Sequence, residues 1–219
     1  MTPERIQRLR DVLERRQPDL TVLMENVHKP HNYAAVLRSC DAVGCFEVHG
    51  VLHDSNLSNK IASAAGALKW LQCHEHPSIQ EGLQKIRAQG LQVVAAHRSR
   101  RSRDYRSYDF TEPTCIVLGQ ELEGVTDSAL ALVDELIHVP MYGLVESLNV
   151  SVAAAVILFE AERQRSAHGL YEKNRLEPDV FRRVLFEWAQ PEIAAYCRRR
   201  GFAYPALNDE GELAEKLPR

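Results

Sequence analysis

Residues 137 to 155 read Ile137-His138-Val139-Pro140-Met141-Tyr142-Gly143-Leu144-Val145-Glu146-Ser147-Leu148-Asn149-Val150-Ser151-Val152-Ala153-Ala154-Ala155. An apolar run stops at Pro140, which cannot donate to a sheet ladder, and a loop turns through Gly143. Ser147-Leu148-Asn149 then opens a helix expected to reach about residue 164. It is apolar on nearly every side from 150 to 159, which predicts burial over most of its circumference. Ser147 suits an N-cap. Three polar groups at the mouth of so apolar a helix exceed what one cap needs. A strand passing through a polar loop into a buried helix is the repeating unit of an α/β sheet.

The same alternation recurs upstream. Strands are expected at 21–27, 46–52, around 70–73, 91–96, 114–118 and 136–139. Helices are expected at 4–16, from Pro30 and Asn32 to Val43, at 79–89 and at 127–133. Residues 53–59 read as a polar loop followed by an Ala-rich turn. Strands alternating with helices predict an α/β fold, a mostly parallel sheet with helices on both faces. Beyond Ala167 the pattern turns helical and basic, with Val180, Val184, Leu185 and Trp188 as its apolar positions. The tail after Gly201 reads as loosely ordered. The expected division is a basic N-terminal helix (1–19), a core (20–162) and a basic helical C-terminal extension (163–219).

The 219 residues are 45% hydrophobic and 26% charged, the composition of a globular protein, and this excludes disorder throughout. No apolar run approaches the roughly 18 to 20 residues that span a bilayer. The charged N-terminus lacks the apolar stretch of a secretory signal. Five cysteines without a C-x-x-C pair suit reduced thiols, so a cytoplasmic protein with no membrane attachment is expected. Net charge is −3, but it is segregated. From residue 107 to 162 there is no Lys or Arg against ten acids, while the other 163 residues carry 27 basic and 20 acidic groups. Arginines gather at Arg5, Arg8, Arg10, Arg15 and Arg16. A second group is Arg98, Arg100, Arg101, Arg103 and Arg106, and a third runs from Arg163 and Arg165 through Arg175 to Arg200. Segregated charge of this kind can hold a polyanion although the total is acidic.

Familiar signatures are absent. There is no G-x-G-x-x-G, no P-loop and no G-x-S-x-G. Cys73, His74 and His76 make no metal set by sequence, because neighbours on a strand point to opposite faces, and no metal is expected. Two other segments carry chemistry. In the helix opened by Pro30, Asn32 stands where an N-cap is expected. Arg38 lies among Ala34, Ala35, Val36, Leu37, Ala42 and Val43, so it needs an anionic partner or a water-filled cleft. A structural ion pair and a functional cation both fit. In the second segment, the apolar strand 114–118 runs into a loop bounded by Gly119 and Gly124, with Glu121 inside. Glycines at the carboxyl end of a strand let backbone amides approach a ligand closely.

Taken in order and spacing, three motifs resemble those of the SpoU-type branch of the SPOUT RNA methyltransferases. They are N-x5-R from Asn32 to Arg38, G-x-E-x-x-G at 119–124 and PMxGxxxSLNVSVAAA at 140–155. The opening RRQPDLTVLMENVHKPHN and the R-x-R-x3-G-L-Y run from Arg163 to Tyr171 narrow the match to members that methylate a tRNA guanosine. The resemblance implies a deep trefoil knot near the carboxyl end of the core, S-adenosylmethionine held within it, and a homodimer with the active site at its interface. It implies that Ala96, Gly119, Val139, Met141 and Leu148 hold the cofactor. Arg38 would act on the ribose 2′-hydroxyl, with Asn32, Glu121, Ser147 and Asn149 around it. Arg8, Arg16, Arg163, Arg165 and Arg175 are expected to grip the RNA backbone. By resemblance the target is the guanosine at position 18 of the D-loop. Ribosomal RNA, another tRNA position, or a non-catalytic RNA-binding role that keeps the knot are the alternatives. Two places depart from the family pattern: Glu146, where relatives often carry Gln, and the loop 97–106, which is more basic than the family leads one to expect.

Overall fold

A computed structural model of the protein describes residues 1–51, 69–121, 123–214 and 217. In chain order its elements are α1 (Pro3–Glu14), β1 (Leu20–Glu25), α2 (Pro30–Ala42), β2 (Glu47–Val51), β3 (Gln72–His76), α3 (Ile79–Ala88), β4 (Gln92–Ala96) and β5 (Arg103–Asp104). They continue with β6 (Thr114–Leu118), α4 (Asp127–Leu130), β7 (Glu135–His138), α5 (Val150–Ala167), α6 (Pro178–Ala189) and α7 (Pro191–Arg200). The expected polar loop at 53–59 and the Ala-rich turn after it lie outside the described residues. The chain divides into two units, residues 17–170 and residues 1–16 together with 171–219.

In the unit 17–170, seven strands form one sheet in the order β3-β2-β1-β6-β4-β7-β5, and every pairing is parallel. All positions of β1 and β6 are buried, as central strands covered on both faces require. Leu20, Val22, Met24 and Ile116 pack with Val36 and Leu37 of α2 and with Ile157 and Leu158 of α5. Leu23, Cys115 and Val117 point the other way, onto Leu83 and Ile86 of α3 and Ala129 of α4. Successive residues therefore feed opposite cores. Each Leu, Val, Ile or Met among them contributes about 1.5 to 3 kcal/mol on burial.

Several local details correct the sequence reading. β5 is a seventh strand, pairing Arg103 and Asp104 with Ile137 and His138, and its two residues are too few to show a period. β3 lies at Gln72–His76, beyond the apolar Trp70 and Leu71 that suggested an earlier strand. α4 is shorter than expected. α2 begins at Pro30, whose ring suits the first helical position, so Asn32 is not a cap but a buried residue of the first turn. α5 begins at Val150 rather than Ser147. Its cap is Asn149, whose Oδ1 accepts from Ser151 N at 2.9 Å. Nor is α5 buried over most of its circumference. Ala154, Ile157, Leu158 and Ala161 face the core, but Val152 and Phe159 are 47% and 51% exposed.

One buried arginine ties this unit together. Arg165 on α5 donates from Nε to Phe110 O (2.8 Å), from Nη1 to Asp19 Oδ1 (2.7 Å) and Gln17 Oε1 (3.1 Å), and from Nη2 to Asp19 O (3.2 Å) and Glu112 O (3.1 Å). Its side chain is fully buried.

In the other unit, α1 buries Ile6, Leu9 and Leu13 and packs against α6, whose Val184, Leu185, Phe186 and Trp188 are buried. Arg16 is fully buried with its guanidinium over the Trp188 ring, 5.4 Å from the centroid. The tail holds no helix or strand among its described residues, yet it is not loose throughout. Leu207 and Leu213 form an antiparallel bridge around Asn208, whose Oδ1 accepts from the amides of Glu210 and Glu212. Among the described residues, no helix is long and apolar enough to cross a membrane.

Candidate active site

β6, β4 and β7 lie side by side and run parallel, so they end on one side of the sheet, at Leu118, Ala96 and His138. A cleft of about 180 Å³ opens there, the usual place for a ligand in such sheets. Ala96, Gly119, Val139, Met141 and Leu148 all line it, together with Glu121 and Ser147. Leu118, Val150 and Ile157 add apolar surface. Glu146, the position that departs from the family pattern, lines it too, as do His97, Arg98, Gln120 and His138, to which the sequence reading gave no role in the site. His138 ends β7 and His97 and Arg98 follow β4 directly; their position at strand ends was the available signal. His138 Nδ1 is buried with no hydrogen-bond partner among the described residues.

The loop after β6 is shaped by backbone contact. A Cβ on Gly119 would overlap the carbonyl of Gly124 and the amide of Val125, so only glycine fits. Gly124 has φ +72° and its amide donates to Gln120 O at 3.0 Å. The far side of the loop is fastened by Glu25, a buried carboxylate at the end of β1. It accepts from Thr126 N (3.0 Å) and Thr126 Oγ1 (2.6 Å). Nothing in the local sequence marks Glu25 for this task.

Three of the expected catalytic residues form a chain. Asn32 Nδ2 donates to Glu121 Oε1, and Asn149 Nδ2 donates to Asn32 Oδ1 at 3.3 Å. Burial pushes the Glu121 pKa up. Its own backbone amide, Asn32, and the charges of Lys29 and His28 outweigh this and hold the carboxyl below its ordinary value. Glu121 is thus an ionised acceptor at neutral pH. Asn149 does double duty, capping α5 with Oδ1 and holding Asn32 with Nδ2.

Arg38 stands apart. It is exposed, does not line the cleft, and has no ion pair or hydrogen bond among the described residues. The expected anionic partner or water-filled cleft is therefore corrected. His31, Ala35, Arg38 and Ala42 recur at helical spacing on the side of α2 turned away from its buried Tyr33, Val36, Leu37 and Cys40. Of the arginines expected to meet RNA, Arg165 and Arg16 are corrected too, because both are fully buried. Arg8 is exposed, Arg163 is exposed but bidentate to Glu160, and Arg175 is half-buried.

A second polar cluster lies toward the other edge of the sheet. His49 and His74 are register partners with rings stacked at 5.1 Å, and His49 Nδ1 lies 2.9 Å from His76 Nε2. The Glu47 carboxylate is 3.5 Å from His74 and 3.9 Å from His49. Burial, then the charges of His74 and His76, pushes His49 down to about 4, so it is neutral at neutral pH. No group of three or more His, Cys, Asp or Glu among the described residues is arranged to hold a metal ion.

A parallel sheet with a glycine-shaped, partly apolar cleft at its strand ends defines an α/β protein that binds its ligand on the loops after its strands. The chain belongs to the SpoU rRNA Methylase family, whose model matches residues 19–159; the model of the family's C-terminal region matches residues 163–216. It is 46% identical to the tRNA (guanosine(18)-2′-O)-methyltransferase of Escherichia coli over 97% of this chain and 94% of that one. The Aquifex aeolicus TrmH/SpoU tRNA modifying enzyme has a similar crystal structure, with TM-score 0.79 and 37% identity over 87% of this chain and 97% of that one. The AviRb methyltransferase of Streptomyces viridochromogenes, solved in complex with the cofactor AdoMet, matches with TM-score 0.61 and 28% identity over 70% and 59% of the two chains.

Proposed function

We infer that this protein is a tRNA guanosine-2′-O-methyltransferase, which transfers a methyl group from S-adenosylmethionine to the ribose of guanosine 18 in the D-loop. The observation that carries this reading is the similarity, over nearly the whole chain, to the Escherichia coli enzyme named for that reaction. The cleft suits the donor. Ala96, Val139, Met141 and Leu148 offer apolar walls, Gly119 leaves backbone bare, and His138 Nδ1 awaits a partner. Bound there, S-adenosylmethionine supplies a methyl group already activated on a sulfonium, a transfer that asks for orientation and proton removal and not for a metal.

The protein's own groups supply the orientation. Glu121 fixes Asn32, Asn32 fixes Asn149, and the two amides are held ready to position a ribose hydroxyl, while Ser147 lines the same cleft as Glu121. Arg38 acts as a cation. A guanidinium keeps its proton at any physiological pH, so its role is to stabilise the developing alkoxide while the hydroxyl proton passes to water. Arg38 does not line its own chain's cleft, and the active form in this reading is a homodimer. Val152 and Phe159 on α5, with Tyr142, Leu144 and Val145, are large exposed apolar groups that a second copy would cover. The segments after β6 and β7 border the same cleft, which accords with a SPOUT-type knot there. The core, about residues 20–162, carries the chemistry, while 1–19 and 163–219 hold the tRNA backbone through Arg8, Arg163 and Arg175. Its place of work is the cytoplasm.

Transfer of tritiated methyl groups tests this reading. A tRNA transcript should be labelled, the same transcript with 2′-deoxyguanosine at position 18 should not, and EDTA should leave the rate unchanged. Labelling of ribosomal RNA but not of tRNA would overturn the assignment.

A further inference from the structure

We propose that the turn at residues 98–102 is a phosphate-binding element that seats the RNA backbone beside the methyl-donor cleft. The inference rests on the methyltransferase reading above and adds where the backbone of the substrate lies. The structure sorts the five arginines of the loop 97–106 into two kinds. Arg103 pairs with Glu135 at 2.7 Å and lies over the Tyr108 ring at 4.9 Å. Arg106 pairs with Asp104 at 3.1 Å and lies over the Tyr105 ring at 4.8 Å. These two are spent inside the chain. Arg98, Arg100 and Arg101 are exposed, and among the described residues no carboxylate pairs with them. Arg98 uses Nη1 on the backbone oxygen of Glu146, at 2.9 Å, which orients the side chain and leaves its other N–H groups open.

The turn that carries them is already set. Ser99 N donates to Ser102 Oγ (2.9 Å), Ser102 Oγ donates to Ser99 O (2.7 Å), and Arg101 N donates to Ser99 Oγ (3.2 Å). Cations on a preformed turn lose less freedom when they bind. A second cleft, of about 580 Å³, is lined by Arg98, Ser99, Arg100, Glu146 and Ser147. It shares Arg98, Glu146 and Ser147 with the donor cleft, so an anion held there lies next to the site of methyl transfer. Most other walls of the two clefts come from residues 118–157, a stretch without Lys or Arg, so the turn supplies the guanidinium charge at their common mouth. A lone anion would meet Glu146 as well as the arginines. Arg101 carries the positive charge beyond the cleft, which favours charges in series, as in a polynucleotide. Arg is the side chain whose planar fork matches a phosphodiester.

The test is the double variant Arg100→Ala/Arg101→Ala, both exposed and free of structural partners. Binding of a tRNA transcript is measured from about 50 to 300 mM KCl, where each phosphate contact contributes roughly 0.7 to 0.9 to the log–log slope. The variant should lose about 1.4 to 1.8 from that slope. Its KM for tRNA should rise about tenfold or more, with kcat within about twofold of wild type and S-adenosylmethionine affinity unchanged. An unchanged slope in an enzyme that methylates tRNA overturns the proposal. So does a loss that appears in S-adenosylmethionine affinity, which would assign the turn to the donor's carboxylate. Absence of any methyl transfer by the unaltered protein would instead refute the function proposed above, and is read before the variants are made.

Discussion

Near β6, β4 and β7, the polar groups Glu121, Asn32 and Asn149 stand on segments that flank strand ends, and their hydrogen-bonded chain includes a residue of an open cleft. Near β2 and β3, Glu47, His49, His74 and His76 project from the strands themselves, with the rings of His74 and His76 stacked on that of His49, which is fully buried. Residue types alone would rank the second cluster as the more reactive. Position reverses the ranking. A side chain at a strand end meets loops and solvent, whereas one within a strand meets a covering helix, here α3. The same distinction separates the arginines, since Arg165 spends its guanidinium on buried oxygens while Arg98, Arg100 and Arg101 stand on a surface turn.

The largest expected effect tests the chemistry assigned to the cleft side. Arg38→Ala should lower kcat by roughly 10² to 10⁴, the range of a positioned acid–base or charge-stabilising group, with S-adenosylmethionine affinity near wild type by titration calorimetry. Arg38→Lys should recover little, because an ammonium lacks the planar fork. Near-full activity in Arg38→Ala would remove the chemistry from this helix.

Next comes the buried arginine. Arg165→Ala removes the guanidinium paired with Asp19 and its hydrogen bonds to the carbonyls of Phe110, Asp19 and Glu112, and should cost about 3 to 5 kcal/mol in denaturant unfolding. A variant of unchanged stability that binds tRNA more weakly would return Arg165 to the RNA surface.

The histidine edge should reveal itself in pH and not in turnover. Unfolded His49 takes up a proton near 6.5, whereas in the folded state this happens near 4. Between those values the unfolded state binds more protons, so stability is full above pH 6.5 and falls as pH drops toward 4, by at most about 3 kcal/mol. His49→Gln should flatten that part of the stability profile and leave kcat at neutral pH unchanged. A profile identical to that of the parent would detach the ladder from acid sensitivity.

Much of this was legible in the chain itself. The continuous apolar runs of β1, β4 and β6 and their alternation with helices specify a parallel sheet, and the motifs at 119–124 and 140–155 converge on one cleft. Other features needed distances between residues far apart in sequence. The five oxygens around Arg165 come from residues 17–19 and 110–112, and no local pattern joins those segments to α5. The histidine ladder exists only once β2 and β3 are set in register. Arg38 is expected from sequence to need an anionic partner or a water-filled cleft because its neighbours there are apolar. Its helical neighbours His31, Ala35 and Ala42 mark an outer stripe instead.

The most direct test of the central claim is to map ribose methylation, by mass spectrometry, in tRNA from cells with and without the gene. The account predicts that 2′-O-methylation of guanosine 18 disappears from the tRNA of cells lacking the gene and returns with the intact protein but not with Arg38→Ala. Unchanged methylation at that guanosine, with loss at a ribosomal position, would contradict it.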